Sequence, residues 1–160
     1  MVQLLGQDMP GKATEGGDRL DQFRAILVEL IQGRVSLVQA VMLVQQRLPR
    51  EQSTHSANNR VFPFGWEERL VRTQFSRLYN QAVLEHLIAI GETHCFVAHS
   101  SDEAPESACS VALAGQTHEV AVLHTRLVES YVRGVFTKTV KIPDHPHCTH
   151  VVMPQTAASK

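Results

Sequence analysis

Charge of one sign is missing from this chain. Its 160 residues carry 15 Lys and Arg against 16 Asp and Glu, a formal net charge of −1. No global basic field therefore draws the molecule to nucleic acid or to an anionic membrane surface. Cysteine is scarce too: three residues, an odd number, give no disulfide framework, and synthesis in a reduced cytosol is expected. No apolar run approaches the roughly 20 residues that a membrane helix needs. Residues 1–17 lack the basic start and apolar centre of a secretory signal and read as a flexible lead-in. Neither an internal repeat nor a glycine-rich phosphate loop occurs. What remains is 43% apolar and 19% charged, a composition that can bury a core and is too apolar for general disorder.

The first half of the chain has helical spacing. Asp18 is placed to cap a helix reaching about Gln32, with Leu20, Phe23, Ile26, Leu27, Leu30 and Ile31 on one face. Gly33 is a natural stop. Ser36 followed by Gln39 is a capping-box pattern opening a second helix that Pro49 ends. Together, residues 18–50 predict a helical hairpin. Its second helix, with Val41-Met42-Leu43-Val44, is too apolar to read a DNA groove. A polar linker is expected over 51–62. A long helix then runs from about Trp66 to Ile90, closed by Gly91, with an apolar stripe through Leu70, Val71, Phe75, Leu78, Ala82, Val83 and Leu87. Arg69, Arg72 and Arg77 on this helix read as a solvated face paired with Glu67 or Glu68.

After Gly91 the period changes. Glu92–His99 is short and rich in strand formers. An acidic loop, Ser100 to Ser107, reads as solvated and separates that strand from the apolar segment Cys109–Gly115. Thr117 is placed to cap a further helix carrying Val120, Leu123, Leu127, Val128 and Tyr131. Strands are expected over Val135–Ile142 and Cys148–Met153, and a flexible tail over 155–160. Helices preceding and interrupting a small sheet place the chain in the α+β class.

The chemistry concentrates near the end. His145, His147, Cys148 and His150 fall within six residues, framed by prolines, and imidazole and thiolate are the ligands zinc prefers. On a strand, Cys148 and His150 point to one face, and His145 and His147 lie in the preceding turn. A closed tetrahedral site needs a ligand from elsewhere, with Cys109, Cys95 and His118 as candidates. His118 and His124 are six apart, so the metalloprotease pair at i and i+4 is absent.

Taken in order, these pieces resemble the phage Mu protein F-like family of minor head proteins, the head-morphogenesis domain. That family has a helix beginning Arg-Thr-Glu and continuing through Asn-x-Ala, matched here by Arg72-Thr73-Gln74 and Asn80-Gln81-Ala82. Its Asp-x-x-Cys-x-x-Cys loop leading to Leu-x-Gly is similar to Asp102, Cys109 and Leu113-Ala114-Gly115. Its Pro-x-His-Pro-x-Cys-Arg-His string resembles Pro143-Asp144-His145-Pro146-His147-Cys148-Thr149-His150. Gln74 stands in place of the acid, and Ser107 and Ser110 stand near where the paired thiols would fall. The resemblance covers roughly residues 18–154, with 63–154 as the α+β head-morphogenesis domain. It implies a virion structural protein without catalytic activity, in contact with portal or capsid protein and close to packaged DNA without reading its sequence, and away from membranes. It also implies a structural Zn²⁺ site from Cys109, His145, Cys148 and His150. A small His/Cys metal-dependent enzyme or effector is the alternative function for the same cluster.

Overall fold

The computed structural model describes residues 1–155; most of the tail expected at 155–160 lies outside them. Five α-helices and a three-stranded antiparallel sheet give the α+β layout expected from the sequence. The helical hairpin forms as α1 (Arg19–Ile31) and α2 (Leu37–Arg47). Past the end of α1, Gly33 takes φ 69°, and the Arg34 N–H reaches back to the Glu29 carbonyl. Only glycine adopts that conformation without a Cβ penalty. Both bonds of the Ser36–Gln39 capping box are present. The long helix α3 spans Trp66–Ala89.

Two apolar cores lie along α3. Trp66, Val71 and Leu78 from its first part pack with Phe23, Ile26, Leu27, Ala40, Val44 and Leu48 of the hairpin. Leu84 and Leu87 from its second part pack with the sheet and with α5 (Val120–Tyr131), through Val97, Val120, Leu123, Leu127 and Val152. The spine is therefore shared, and each end of it is buried by a different neighbour.

The sheet has the order β2 (Gln116–Glu119), β1 (His94–Ala98), β3 (Val151–Pro154), with β1 in the centre. Cys95 faces His118 across one ladder and Pro154 across the other. Between β1 and β2, residues Ala108–Leu113 form a short helix, α4, capped by the Ser107 hydroxyl on the Ser110 N–H. The residues expected to cap α5 at Thr117 are instead in β2, and Glu119 precedes the helix.

Further expectations are corrected, among them the strand over Cys148–Met153, which forms only over Val151–Pro154 and leaves Cys148 and His150 before it. Residues 1–17 are not a loose lead-in: Leu4, Leu5 and Met9 are buried in the hairpin core through two 3₁₀ turns. Arg77 is fully buried rather than part of a solvated face, with Nη2 donating to Gln7 Oε1 at 3.1 Å. Burial holds its guanidinium down to about 10, with Glu85 opposing. Val135–Ile142 forms no strand, and the sheet is β2-β1-β3 alone. The linker region 51–62 is a turn-rich loop pinned by Arg50, whose Nε donates to the Ser56 carbonyl and whose Nη2 donates to Asn59 Oδ1.

Cys95 lies fully buried in the sheet core, and burial pushes its thiol from 9.0 up to about 11. The folded chain keeps a proton that the unfolded chain releases above pH 9. The corresponding stability, on the order of 2–3 kcal/mol, is present below pH 9 and is lost as pH rises from 9 to about 11. Urea denaturation at a series of alkaline pH values is expected to show that limb, flattened in Cys95→Ala.

Candidate metal centre

Four chain segments meet where α3 faces the terminal string. On one face of α3, Thr73, Ser76 and Asn80 stand at i, i+3 and i+7. The Thr73 hydroxyl lies 3.4 Å from the Pro146 carbonyl and 2.6 Å from that of Arg69. Ser76 Oγ donates to the Cys148 carbonyl at 3.4 Å. Asn80, fully buried, donates through Nδ2 to the His150 carbonyl at 3.4 Å and accepts the Val152 N–H on Oδ1 at 2.8 Å. The helix thus holds every second residue of the string, and Asn80 pairs with the outer edge of β3 as a neighbouring strand would.

The string so held faces the acidic loop and α4. Glu103, Cys109, His145 and Cys148 each offer one ligand atom, and these atoms all lie within 4.8 Å of one another. His145 Nε2 is 3.1 Å from Cys109 Sγ and 3.4 Å from Glu103 Oε1. Cys109 Sγ approaches Glu103 Oε2 at 3.7 Å. Both cysteines are buried, and the Glu103 side chain is only 10% exposed. Its carboxylate is aimed by the Thr149 N–H, which donates to Oε1 at 3.1 Å. A Glu/Cys/His/Cys group of this kind, its two sulfurs buried and its His145 imidazole 39% exposed, can hold a metal ion.

Of the residues predicted from sequence, Cys109, His145 and Cys148 come together here. His150 stands behind them. It is fully buried, with Nδ1 3.6 Å from Cys148 Sγ and Nε2 3.3 Å from Ser110 Oγ. Burial holds its imidazole below the ordinary value, with Glu103 opposing. Cys95 and His118 are a cross-strand pair in the sheet instead. Sequence reasoning missed Glu103, which it placed in a solvated loop. The only local hint was a carboxylate six residues before Cys109. Neither Ser107 nor Ser110 takes a thiol's place: one caps α4, the other contacts His150.

No protein-family model, curated protein or solved structure matches this chain. The site therefore speaks through its own chemistry. Burial is the main cause that pushes the Cys148 thiol up to about 11, with the neighbouring Cys109 and Glu103 adding to it, against lowering backbone hydrogen bonds. A metal must displace that proton to bind sulfur, so binding and deprotonation are one event. Beside the group, Arg72, Phe75, Tyr79, His147, Thr149 and Val151 line a cavity of about 290 Å³. Arg72 at its rim is paired with Glu68, Nε to Oε1 at 2.7 Å.

Proposed function

We propose that this chain is a phage or phage-derived minor head protein, similar to the Mu protein F-like family, that acts near the portal during head assembly. One observation carries the reading. The two motifs on which the resemblance rests meet in space: Thr73 and Asn80 of the first bond to Pro146 and His150 of the Pro143–His150 string, with Ser76 between them on Cys148. The third, the Cys109 loop, closes over them. Motifs distant in sequence that converge to build one clasp are parts of one device.

In this reading the clasp is structural. Two sulfurs, one imidazole nitrogen and one carboxylate oxygen suit Zn²⁺, and four protein donors leave no coordination position open for a substrate. The ion would tie the terminal strand to the α4 loop. The portal or capsid protein is the partner, packaged DNA is near without being read, and the protein resides in the virion head. Copurification with the portal protein, together with metal analysis of the isolated chain, tests this. Association with portal and about one zinc per chain are expected. No portal association, combined with an enzymatic activity lost in His145→Ala, would overturn it.

That last outcome would favour a small metal-dependent enzyme or effector. The cavity of about 290 Å³ against the Cys148 loop is the observation on its side. The two ligand sets separate by substitution. Metal affinity is expected to fall in Glu103→Gln, by about tenfold or more, and to fall less in His150→Ala, which removes a neighbour of Cys148 rather than a donor. The reverse order would restore His150 as the fourth ligand.

A further inference from the structure

The three cysteines of this chain have different neighbours. Cys95 is fully buried in the sheet core, and its thiol donates to the His118 carbonyl at 3.6 Å. Cys109 and Cys148 are buried as a pair, with their sulfurs within 4.8 Å of one another. Each of these two has an imidazole nitrogen at hydrogen-bond distance. His145 Nε2 is 3.1 Å from Cys109 Sγ, and His150 Nδ1 is 3.6 Å from Cys148 Sγ. In the tautomer whose Nε2–H donates to Ser110 Oγ, His150 Nδ1 is an acceptor. Burial does not separate the three, since it pushes the thiols of Cys95 and Cys148 alike up to about 11. A buried thiol held protonated is inert unless its proton has somewhere to go. Cys109 and Cys148 have that outlet.

Reach and freedom to move also set the pair apart. Cys148 lines the cavity of about 290 Å³ beside α3, together with Ser76, His147 and Thr149. That space admits a molecule of two oxygen atoms. Cys148 lies before β3 and outside any strand, and Cys109 stands in the first turn of the short helix α4. A disulfide holds its sulfurs about 2.05 Å apart, so the two side chains need to close by less than about 3 Å.

We infer that Cys109 and Cys148 are a hydroperoxide-sensitive thiol pair that closes to a disulfide and reopens under a dithiol reductant. The Cys148 sulfur attacks one peroxide oxygen while its proton passes to His150 Nδ1. The O–O bond breaks, and the departing hydroxide takes that proton and leaves as water. Cys148 is then a sulfenic acid. Cys109 attacks its sulfur, giving a proton to His145 Nε2; the S–S bond forms, the S–O bond breaks, and the second hydroxide leaves as water with that proton. Two thiols have lost two electrons and two protons, and the peroxide has become two waters. A dithiol reverses the change by exchange and is oxidised to its own disulfide. The bond ties α4 to the terminal string, the same two parts that a metal would join. The reaction needs only the two sulfurs and the two imidazoles, so it does not depend on a bound metal.

The test uses the full chain, stripped of metal by a chelator, treated with hydrogen peroxide and digested without reduction for mass spectrometry. A peptide pair joined through Cys109 and Cys148 is expected, lighter than its free halves by two hydrogen atoms, and dithiothreitol is expected to part it. Loss of these two thiols should outrun loss of the Cys95 thiol by about tenfold or more. Cys109→Ser leaves Cys148 without a resolving sulfur, and a sulfenic acid trapped by dimedone is expected there. Should that variant fail to fold by circular dichroism, the crosslink and the thiol rates of the natural chain decide. Equal loss of all three thiols overturns the inference, as does a crosslink through Cys95, a crosslink only between chains, or none. The metal reading is tested apart from this: in the zinc-loaded chain each crosslink is expected to release one zinc ion. Crosslinking with zinc retained would remove both cysteines from the metal's donors and still support the thiol pair.

Discussion

Replacing Asn80 by alanine is expected to lower folding stability by about 3–5 kcal/mol. The side chain is fully buried on α3 and replaces a strand at the outer edge of β3. Removing it leaves the Val152 N–H and the His150 C=O without partners, and Asn80 Nδ2 also donates to the Ser76 carbonyl at 3.0 Å. Each orphaned buried polar group costs about 1–3 kcal/mol, and the lost side-chain volume adds a cavity. For a chain of this size the melting temperature is expected to fall by about 10 °C. Urea denaturation checks it: the midpoint should drop with the slope unchanged. Asn80→Asp should cost about as much, because it keeps the acceptor for Val152 but turns the donor facing His150 into a buried charge. Thr73→Ala and Ser76→Ala touch the same string through partly exposed bonds and should cost about 1 kcal/mol or less each. A loss below about 1 kcal/mol in Asn80→Ala would mean that the strand edge is held by something else.

The helical half of the fold was legible because its determinants are local. Apolar residues three and four apart, Gly33 past α1, and the Ser36–Gln39 box each act within a turn or two. Strands are another matter, since a strand exists only where a partner is free. Val135–Ile142 has a strand's composition and joins no ladder of the sheet, and Lys138 and Thr139 bend the chain instead. Gln116–Glu119 has a weak pattern of its own, and becomes a strand because β1 lies beside it. The segment after the acidic loop carried a helix signal in Ser107, three residues before Ser110, that its apolar composition obscured.

The site divides along the same line. Three donors were readable from residue type and spacing. Glu103 was not, because its role depends on contacts with Thr149 and His145 from more than forty residues away. A loop rich in Ser, Asp and Glu looks solvated until a buried partner appears. The N-terminal residues mislead in the opposite sense. Leu4, Leu5 and Met9 follow no period, since they plug gaps in a core built by other elements. Periodicity detects residues that line a face and cannot detect residues that fill a hole.

Stripping metal from the clasp should be the second large effect, and its location is as informative as its size. If zinc is held at a concentration about a thousandfold above its dissociation constant, its removal costs about 4 kcal/mol. Chelation of the purified chain, or the double variant Cys109→Ser, Cys148→Ser, is expected to reduce stability by that order. The loss should not be uniform. The hairpin core with the first part of α3 contains none of the four donors, whereas the sheet core is bounded by the clasp. Amide exchange should therefore quicken at β3, α4 and Ser100–Ser107 and stay slow in α1 and α2. Acid should act in the same direction. The thiols of Cys109 and Cys148 must release protons to bind, and burial already holds that of Cys148 at about 11 without metal. Protons thus compete with zinc more strongly as pH falls, and the zinc-dependent part of the stability shrinks with them. Chelation that leaves both the melt and the exchange pattern unchanged would reduce the cluster to a hydrogen-bonded knot, held by such bonds as those of Glu103 and Asn80.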